Sequence, residues 1–244
     1  MNGRLVELAG PAGSGKTTLA TALRALDPAT RVGLPAGRGA VTAALVGASP
    51  TLVRARAAAP GRWWTAAELR AVGYLSAWQR PAGRPRTGTT LLDHGPAFRL
   101  ARLLVSGPPM VRTRPFHRWW SHTCVAWGLL LDTVVWLDAP DEVLIGRIRA
   151  RDRDHRVRAS SLEEAVDFLD SYREGYDATL DVLRRTGTRV LRLDTSTASP
   201  DELAAALAPL LAPRTAFAPG PATRPAPGPA TGTVPVAPAT GPAR

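Results

Sequence analysis

The sequence predicts an α/β protein, a mainly parallel five-stranded sheet with helices on both faces. Short apolar runs alternate along the chain with longer segments of helical periodicity, and three of the runs end in an aspartate. Strands that are buried on both faces and joined by helical crossovers read in this way. The first run leads directly into a glycine-rich segment and then a helix-like one. In such sheets, ligands bind beyond the carboxyl ends of the strands. A chain of 244 residues with 45% hydrophobic side chains is enough for one ordinary core.

The elements follow in order. Residues Arg4–Ala9 (RLVELA) form the first strand, and 15–26 the first helix. Residues 30–34 form a weak second strand. Three further strands are Thr89–Asp93 (TTLLD), Thr133–Asp138 (TVVWLD) and 188–194 (TRVLRLD). Helices are expected at about 64–80, 96–106, 116–130, 141–150, 161–186 and 200–211. The last opens on Ser199-Pro200-Asp201-Glu202, a cap residue followed by proline at the first helical position. Residues 35–62, rich in Ala, Gly, Pro and Arg, receive no assignment. From 212 to 244 there are 9 Pro, 9 Ala, 5 Thr and 4 Gly with no acidic residue. Such a composition cannot bury enough surface to offset ordering, so a domain over 1–211 and a disordered tail over 212–244 are expected.

Gly10-Pro11-Ala12-Gly13-Ser14-Gly15-Lys16-Thr17 fits G-x-x-x-x-G-K-[ST] in full, after a strand and before a helix. Glycines let the backbone curl so that successive N–H groups face one anion, and the helix N-terminus adds its positive end. Lys16 is placed to reach the β and γ phosphates, and the Thr17 hydroxyl to ligate Mg²⁺, with Thr18 next in the helix. The chain holds 31 basic residues, and Lys16 is its only lysine. It stands where a compact ammonium is required. The expected ligands are ATP and Mg²⁺ on a P-loop NTPase fold of three α/β/α layers.

The net charge of +11 is unevenly spread, with residues 31–118 carrying +12 and 119–211 carrying −5. An anionic acceptor or partner is expected at the basic stretch, against the alternative of a solvated arginine-rich surface. The longest apolar stretch, 125–131, is far short of the roughly 20 residues that a membrane span needs. One cysteine, Cys124, excludes an internal disulfide and suits a reducing cytosol. No secretory segment is read at the N-terminus, so the expected location is cytoplasmic.

Other P-loop branches are excluded by missing residues. The only Asn is Asn2 and the only Gln is Gln79, so N-K-x-D guanine recognition and an L-S-G-G-Q transporter signature are both absent. What remains resembles the P-loop nucleoside and nucleotide kinases, thymidylate kinase-like most of all, over about residues 4–211. Four places carry the resemblance. They are the P-loop with its helix, Thr89–Asp93 with His94-Gly95-Pro96, the VVWLDAP segment with the arginines that follow it, and Leu191-Arg192-Leu193-Asp194-Thr195-Ser196. The resemblance implies an Arg-rich lid drawn from Arg147, Arg151, Arg153, Arg156 and Arg158, alternating with Asp152 and Asp154. Planar arginines neutralise charge on a phosphoryl group in transfer, and Arg147 and Arg151, one helical turn apart, are the expected contacts for ATP. Where these kinases carry Arg after the strand-end acid, this chain has His94, which leaves the acceptor open.

Asp93 ends a strand beside the one that feeds the P-loop. Its carboxylate is expected to face the γ-phosphate, as a base or in the Mg²⁺ shell. Asp138 is the rival and reads as a turn residue. Trp63-Trp64 and Trp119-Trp120 read first as core and second as stacking surfaces for a planar acceptor, and Arg99 and Arg102 as contacts for an anionic one. His117, His122 and Cys124 do not share a helix face and are not read as a metal site.

The sequence therefore implies an ATP-dependent phosphotransferase with Lys16, Asp93 and Arg151 as catalytic groups. Residues 10–18 and Arg147 would bind the nucleotide, and Thr17 and Asp93 the metal. The partner is a small, anionic acceptor. Membrane and nucleic acid are not expected, and nothing in the sequence speaks against a homodimer. A kinase of a non-nucleotide metabolite or antibiotic remains an alternative. So does a regulatory P-loop ATPase that switches partner or nucleic-acid binding.

Overall fold

In a computed structural model, which describes residues 3–151 and 155–212, β1 (Arg4–Ala9) lies at the centre of a five-stranded sheet. β2 (Arg31–Val32), β3 (Thr89–Asp93), β4 (Thr133–Asp138) and β5 (Arg189–Asp194) complete it in the order β2-β3-β1-β4-β5. All four pairings are parallel. Beyond β1 the chain turns first to one side of the sheet and later to the other, so the loop after β1 sits at the switch point where a ligand crevice opens. β1 and β3 pair in a register that sets Leu8 against Asp93, which brings the end of β3 beside the loop.

The helices are α1 (Lys16–Leu26), α2 (Arg38–Ala58), α3 (Ala66–Ala77), α4 (Gln79–Ala82), α5 (Pro96–Ser106), α6 (Arg114–Gly128), α7 (Asp141–Arg149), α8 (Leu162–Arg185) and α9 (Pro200–Leu211). Side chains of β1 alternate between two cores, as strand geometry requires. Val6 and Leu8, with Leu91, Val135 and Leu137, pack beneath α1 and α9. Leu5 and Ala9, with Leu92, Val134 and Trp136, pack beneath α2, α3, α5, α6 and α8. A third, smaller cluster joins Leu144, Ile145 and Ile148 of α7 to Val157, Ala165 and Leu169, and so fixes the segment after α7 to the start of α8.

The fold class, the five strands and the expected helices match the structure, with differences at the edges. The weak strand at 30–34 is only two residues long. The helix expected over 64–80 is divided into α3 and the single turn α4. Residues 35–62, left unassigned from sequence, hold the 21-residue α2 with Pro50 inside it. Only Ala48, Leu52 and Ala55 of that helix are buried, so its apolar face is too narrow to stand out as a period. Arg151 falls just past the end of α7 in a tighter turn, its amide bonded to the Ile148 carbonyl at 3.3 Å, and so does not continue the helical face of Arg147. Of the expected lid, Asp152, Arg153 and Asp154 lie outside the described residues, as does the expected tail beyond Ala212. No helix among the described residues is long and apolar enough to cross a membrane.

Candidate active site

The loop between β1 and α1 is held open by backbone conformations that side chains resist. Gly10 has φ +149°, and a Cβ there would collide with the Leu137 carbonyl of β4. Gly15, at φ +84°, forms the left-handed N-cap of α1, and its Cβ position faces open space. That is the concave, amide-lined end of a helix at which an anion binds. Lys16 is almost fully buried and donates to the carbonyls of Gly10 and Pro11, both at 2.8 Å, and to Ser14 Oγ at 3.4 Å. Burial lowers its ammonium to about 8, Asp93 working against the shift. The one lysine is thus folded onto its own loop, where carbonyl oxygens occupy the donors that a phosphate would take.

Across the loop, Thr17 Oγ1 donates to Asp93 Oδ2 at 3.0 Å. The other carboxylate oxygen, Oδ1, is buried without a hydrogen bond, and His94 Nδ1 lies 3.4 Å from it. His94 is the only described non-glycine residue at positive φ, +58°. Its ring packs edge-on against Phe98 with centroids 4.6 Å apart. Burial holds its imidazole below the usual range, Asp93 again opposing. A strained residue beside a carboxylate with unused capacity is characteristic of a site held in place by its surroundings.

Glu7 has no counterpart in the sequence reading. It lies in the middle of β1 with no exposure, and accepts hydrogen bonds from the amides of Ala97 at 2.8 Å and Phe98 at 2.9 Å. Gly95, the N-cap of α5, supplies no side chain, so Glu7 caps that helix from the neighbouring strand. Desolvation raises its carboxyl to about 7, the two amides opposing. The cap aligns α5 and with it Phe98 and Arg102. The signal was present in RLVELA, a charged residue inside an otherwise apolar strand.

Two cavities meet at the loop. One, of about 400 Å³, lies between the loop, α5 and α8; Thr17, His94, Phe98, Arg102, His155, Phe168 and Tyr172 line it, and Asp93 stands behind Thr17, whose hydroxyl it accepts from. The other, of about 350 Å³, lies between α1, α7 and the loop into α9, lined by Thr18, Leu19, Arg147, Thr195, Pro200 and Leu203. Gly13, Gly15 and Arg151 border both. The guanidinium of Arg147 is anchored by Thr195, to Oγ1 and to the carbonyl, both at 2.8 Å, and so ties α7 to the loop after β5.

The rival acid has a different environment. Asp138 is paired with Arg173 of α8 (Nε to Oδ2, 3.0 Å), which also reaches Asp141 and Asp170. Those partners hold the guanidinium above its ordinary value against the opposing effect of burial. Asp138 therefore fastens α8 to the end of β4. Of the expected lid, Arg156 lies over Phe168 at 5.8 Å; nearby, Arg149 of α7 donates to the Ser160 carbonyl. Arg99 departs from expectation, because it turns away from the cavity and lies between Tyr74 and Trp78, 4.9 and 4.7 Å from the ring centroids. No tryptophan lines either cavity. Trp64, Trp78, Trp120, Trp127 and Trp136 are core, and the rings that line the larger cavity are those of Phe98, Phe168 and Tyr172, none of them singled out from sequence. Cys124 is buried, which pushes its thiol up, and no cluster of potential metal ligands occurs among the described His, Cys, Asp and Glu side chains.

A parallel sheet with β1 between β3 and β4, and a glycine-rich loop running from β1 into α1, decide the fold. It is that of a P-loop NTPase. No protein-family model matches the sequence, and no curated protein matches it. Solved structures similar to it include deoxyadenosine kinase from M. mycoides with bound dCTP, at 13% identity and a TM-score of 0.46, covering 82% of this chain and 95% of that one. The same enzyme with products dCMP and dCDP aligns at 12% identity and 0.49, covering 85% and 97%. The YorR protein of Bacillus subtilis, in complex with phosphorylated GDP, aligns at 17% identity and 0.46, covering 85% and 95%.

Proposed function

We propose that the chain is an ATP- and Mg²⁺-dependent phosphotransferase for a small anionic acceptor, of nucleoside- or nucleotide-kinase type. The observation that carries this reading is the pair of cavities meeting at Gly13, Gly15 and Arg151. A nucleotide-driven switch needs one cavity. A transferase needs a second that opens on the same phosphate, so that donor and acceptor are held in reacting geometry.

In this reading the amides of residues 13–17 bind the triphosphate, and Lys16 exchanges the carbonyls of Gly10 and Pro11 for phosphate oxygens. The nucleoside end lies along Thr18, Leu19, Arg147 and Thr195. The acceptor ring stacks among Phe98, Phe168 and Tyr172, with its negative group toward Arg102. Asp93 takes the proton from the acceptor hydroxyl, or would help to hold the metal. Arg151, at the border of both cavities, neutralises charge on the group in transfer. Thr17 Oγ1 and the Asp93 carboxylate are hard oxygen donors of the kind Mg²⁺ selects, and the orphaned Oδ1 fits that role. When bound, the ion supplies neutralisation of phosphate charge.

One observation favours a non-nucleotide ring acceptor as a second reading. The acceptor cavity has no carboxamide in its lining, and Gln79 and Asn2 are the only ones in the chain. Amides are the side chains that pair with both donor and acceptor edges of a base. ADP release measured against a panel of nucleosides, nucleoside monophosphates, sugars and aromatic hydroxy acids tests both readings. Release that depends on one acceptor class is the expected result. Hydrolysis that ignores every acceptor and is stimulated by nucleic acid or a protein would overturn the transferase.

A further inference from the structure

Away from the P-loop, α2 and α6 enclose a groove of about 630 Å³ with no acidic side chain in its lining. Thr51 and Arg54 face it from α2, and Arg114, Arg118, Trp119 and His122 from α6. Residues 114, 118 and 122 succeed one another at four-residue steps, so their side chains form a row at intervals of about 6 Å along one helix. Among the described residues, none of the three arginines makes a hydrogen bond or an ion pair, in contrast to Arg62, Arg173, Arg184 and Arg192.

Two features make this convergence unfavourable as it stands. Arg114 and Arg118 repel as an i,i+4 pair of like charge. Arg114 also stands in the first turn, at the positive end of the helix dipole, where α6 has no acid and no side-chain cap. The Thr113 hydroxyl that could cap this end donates instead to the Met110 carbonyl at 2.7 Å. Two arginines of α6 and Arg54 from α2 therefore line one volume without an acidic side chain beside them. Adjacent to it, Trp119 is half-buried against Phe116, with centroids 5.3 Å apart. All three arginines also lie within the stretch 31–118 that carries the basic excess.

We propose that this groove is a second anion site, separate from the P-loop, for a small ligand bearing a chain of two or three phosphates. Planar guanidiniums on two facing helices match phosphate oxygens bidentately. The volume is that of a small-molecule site rather than of a track for a polymer. A nucleoside polyphosphate and a bare polyphosphate share this chemistry.

The test compares the wild-type protein with the double variant Arg54→Gln/Arg118→Gln, both substitutions on exposed side chains that leave the core untouched. Calorimetric titration with inorganic tripolyphosphate is expected to show one bound equivalent fewer in the variant, or a loss of at least about tenfold in affinity at that site. The P-loop equivalent and the basal ADP release should be unchanged. The difference between the two proteins, measured again with ADP and with pyrophosphate, separates the sources. A larger difference with ADP identifies a nucleotide, and equal differences identify the phosphate chain alone. Identical titrations for both proteins would overturn the proposal. So would a dT12 oligonucleotide that binds the wild type more tightly than tripolyphosphate at the same salt and loses that binding in the variant, because the groove would then belong to nucleic acid. Failure of the P-loop reading looks different: the wild type would bind one equivalent and the variant none.

Discussion

Asp93 and Asp138 both end central strands, and they differ in what each carboxylate touches. Asp93 meets Thr17 and keeps one oxygen without a hydrogen bond, while Asp138 is engaged by Arg173. Asp93→Asn retains shape and loses charge and basicity. ATP affinity should then change by less than about tenfold, and phosphoryl transfer should fall by on the order of 10²-fold or more. Asp138→Asn should instead lower the melting temperature through the weakened contact between β4 and α8, with transfer largely kept. Calorimetry and single-turnover assays on both variants decide the matter, and a dead, folded Asp138→Asn beside an active Asp93→Asn would reverse the assignment. At this scale the P-loop residues were legible because their motif is contiguous. Phe98, Phe168 and Tyr172 were not, because they come from α5 and α8 and meet only through the fold.

At the scale of elements, α5 shows how a helix can depend on a residue remote in sequence. Its N-terminal amides are satisfied by Glu7, 90 residues earlier and one layer below. Burial holds that carboxyl near 7, above its ordinary 4.5. Between those two values the unfolded chain has released the proton and the folded chain keeps it. The folded state therefore binds more protons, and stability falls as pH rises through this window. Lys16, lowered to about 8, acts only between about 8 and its ordinary 10.5, and so does not cancel the effect. His94, held below its ordinary 6.5, acts with the opposite sign in the upper part of this window. The comparison is therefore between variants: relative to the wild type, Glu7→Gln should gain melting temperature steadily as pH rises from about 4.5 to 7. It should also raise the KM for the acceptor more than it lowers kcat, since Phe98 and Arg102 ride on α5. An unchanged pH profile of unfolding would show that Glu7 does not titrate in this range. Neither this cap nor α2 was readable locally, because the cap is a tertiary contact and α2 buries only three of its side chains.

At the scale of the whole molecule, the sheet was legible because each strand is a bounded apolar run and parallel pairing demands the helices between them. The order of the strands was legible only beside the P-loop, where β3 adjoins β1. How the described chain closes came from the structure. α9 fills the core over α1 with Ala204, Leu207 and Leu211, while Thr89 Oγ1 and Arg4 Nη1 donate to the carbonyls of Leu211 and Leu210. The stabilising boundary is therefore expected at the end of α9, since the sequence of residues 213–244, rich in Pro, Ala and Thr, offers little apolar surface to add. A chain ending at Ala212 should melt within roughly 2 °C of the full protein and bind ATP equally well. A chain ending at Ser199 loses the burial of Leu207 and Leu211, at about 1.5–3 kcal/mol for each side chain, which is much of the margin of an ordinary domain. Thermal unfolding of the three lengths gives the answer. A melting temperature lowered by several degrees on removal of 213–244 alone would mean that the tail packs on the domain, and the boundary drawn at α9 would be wrong.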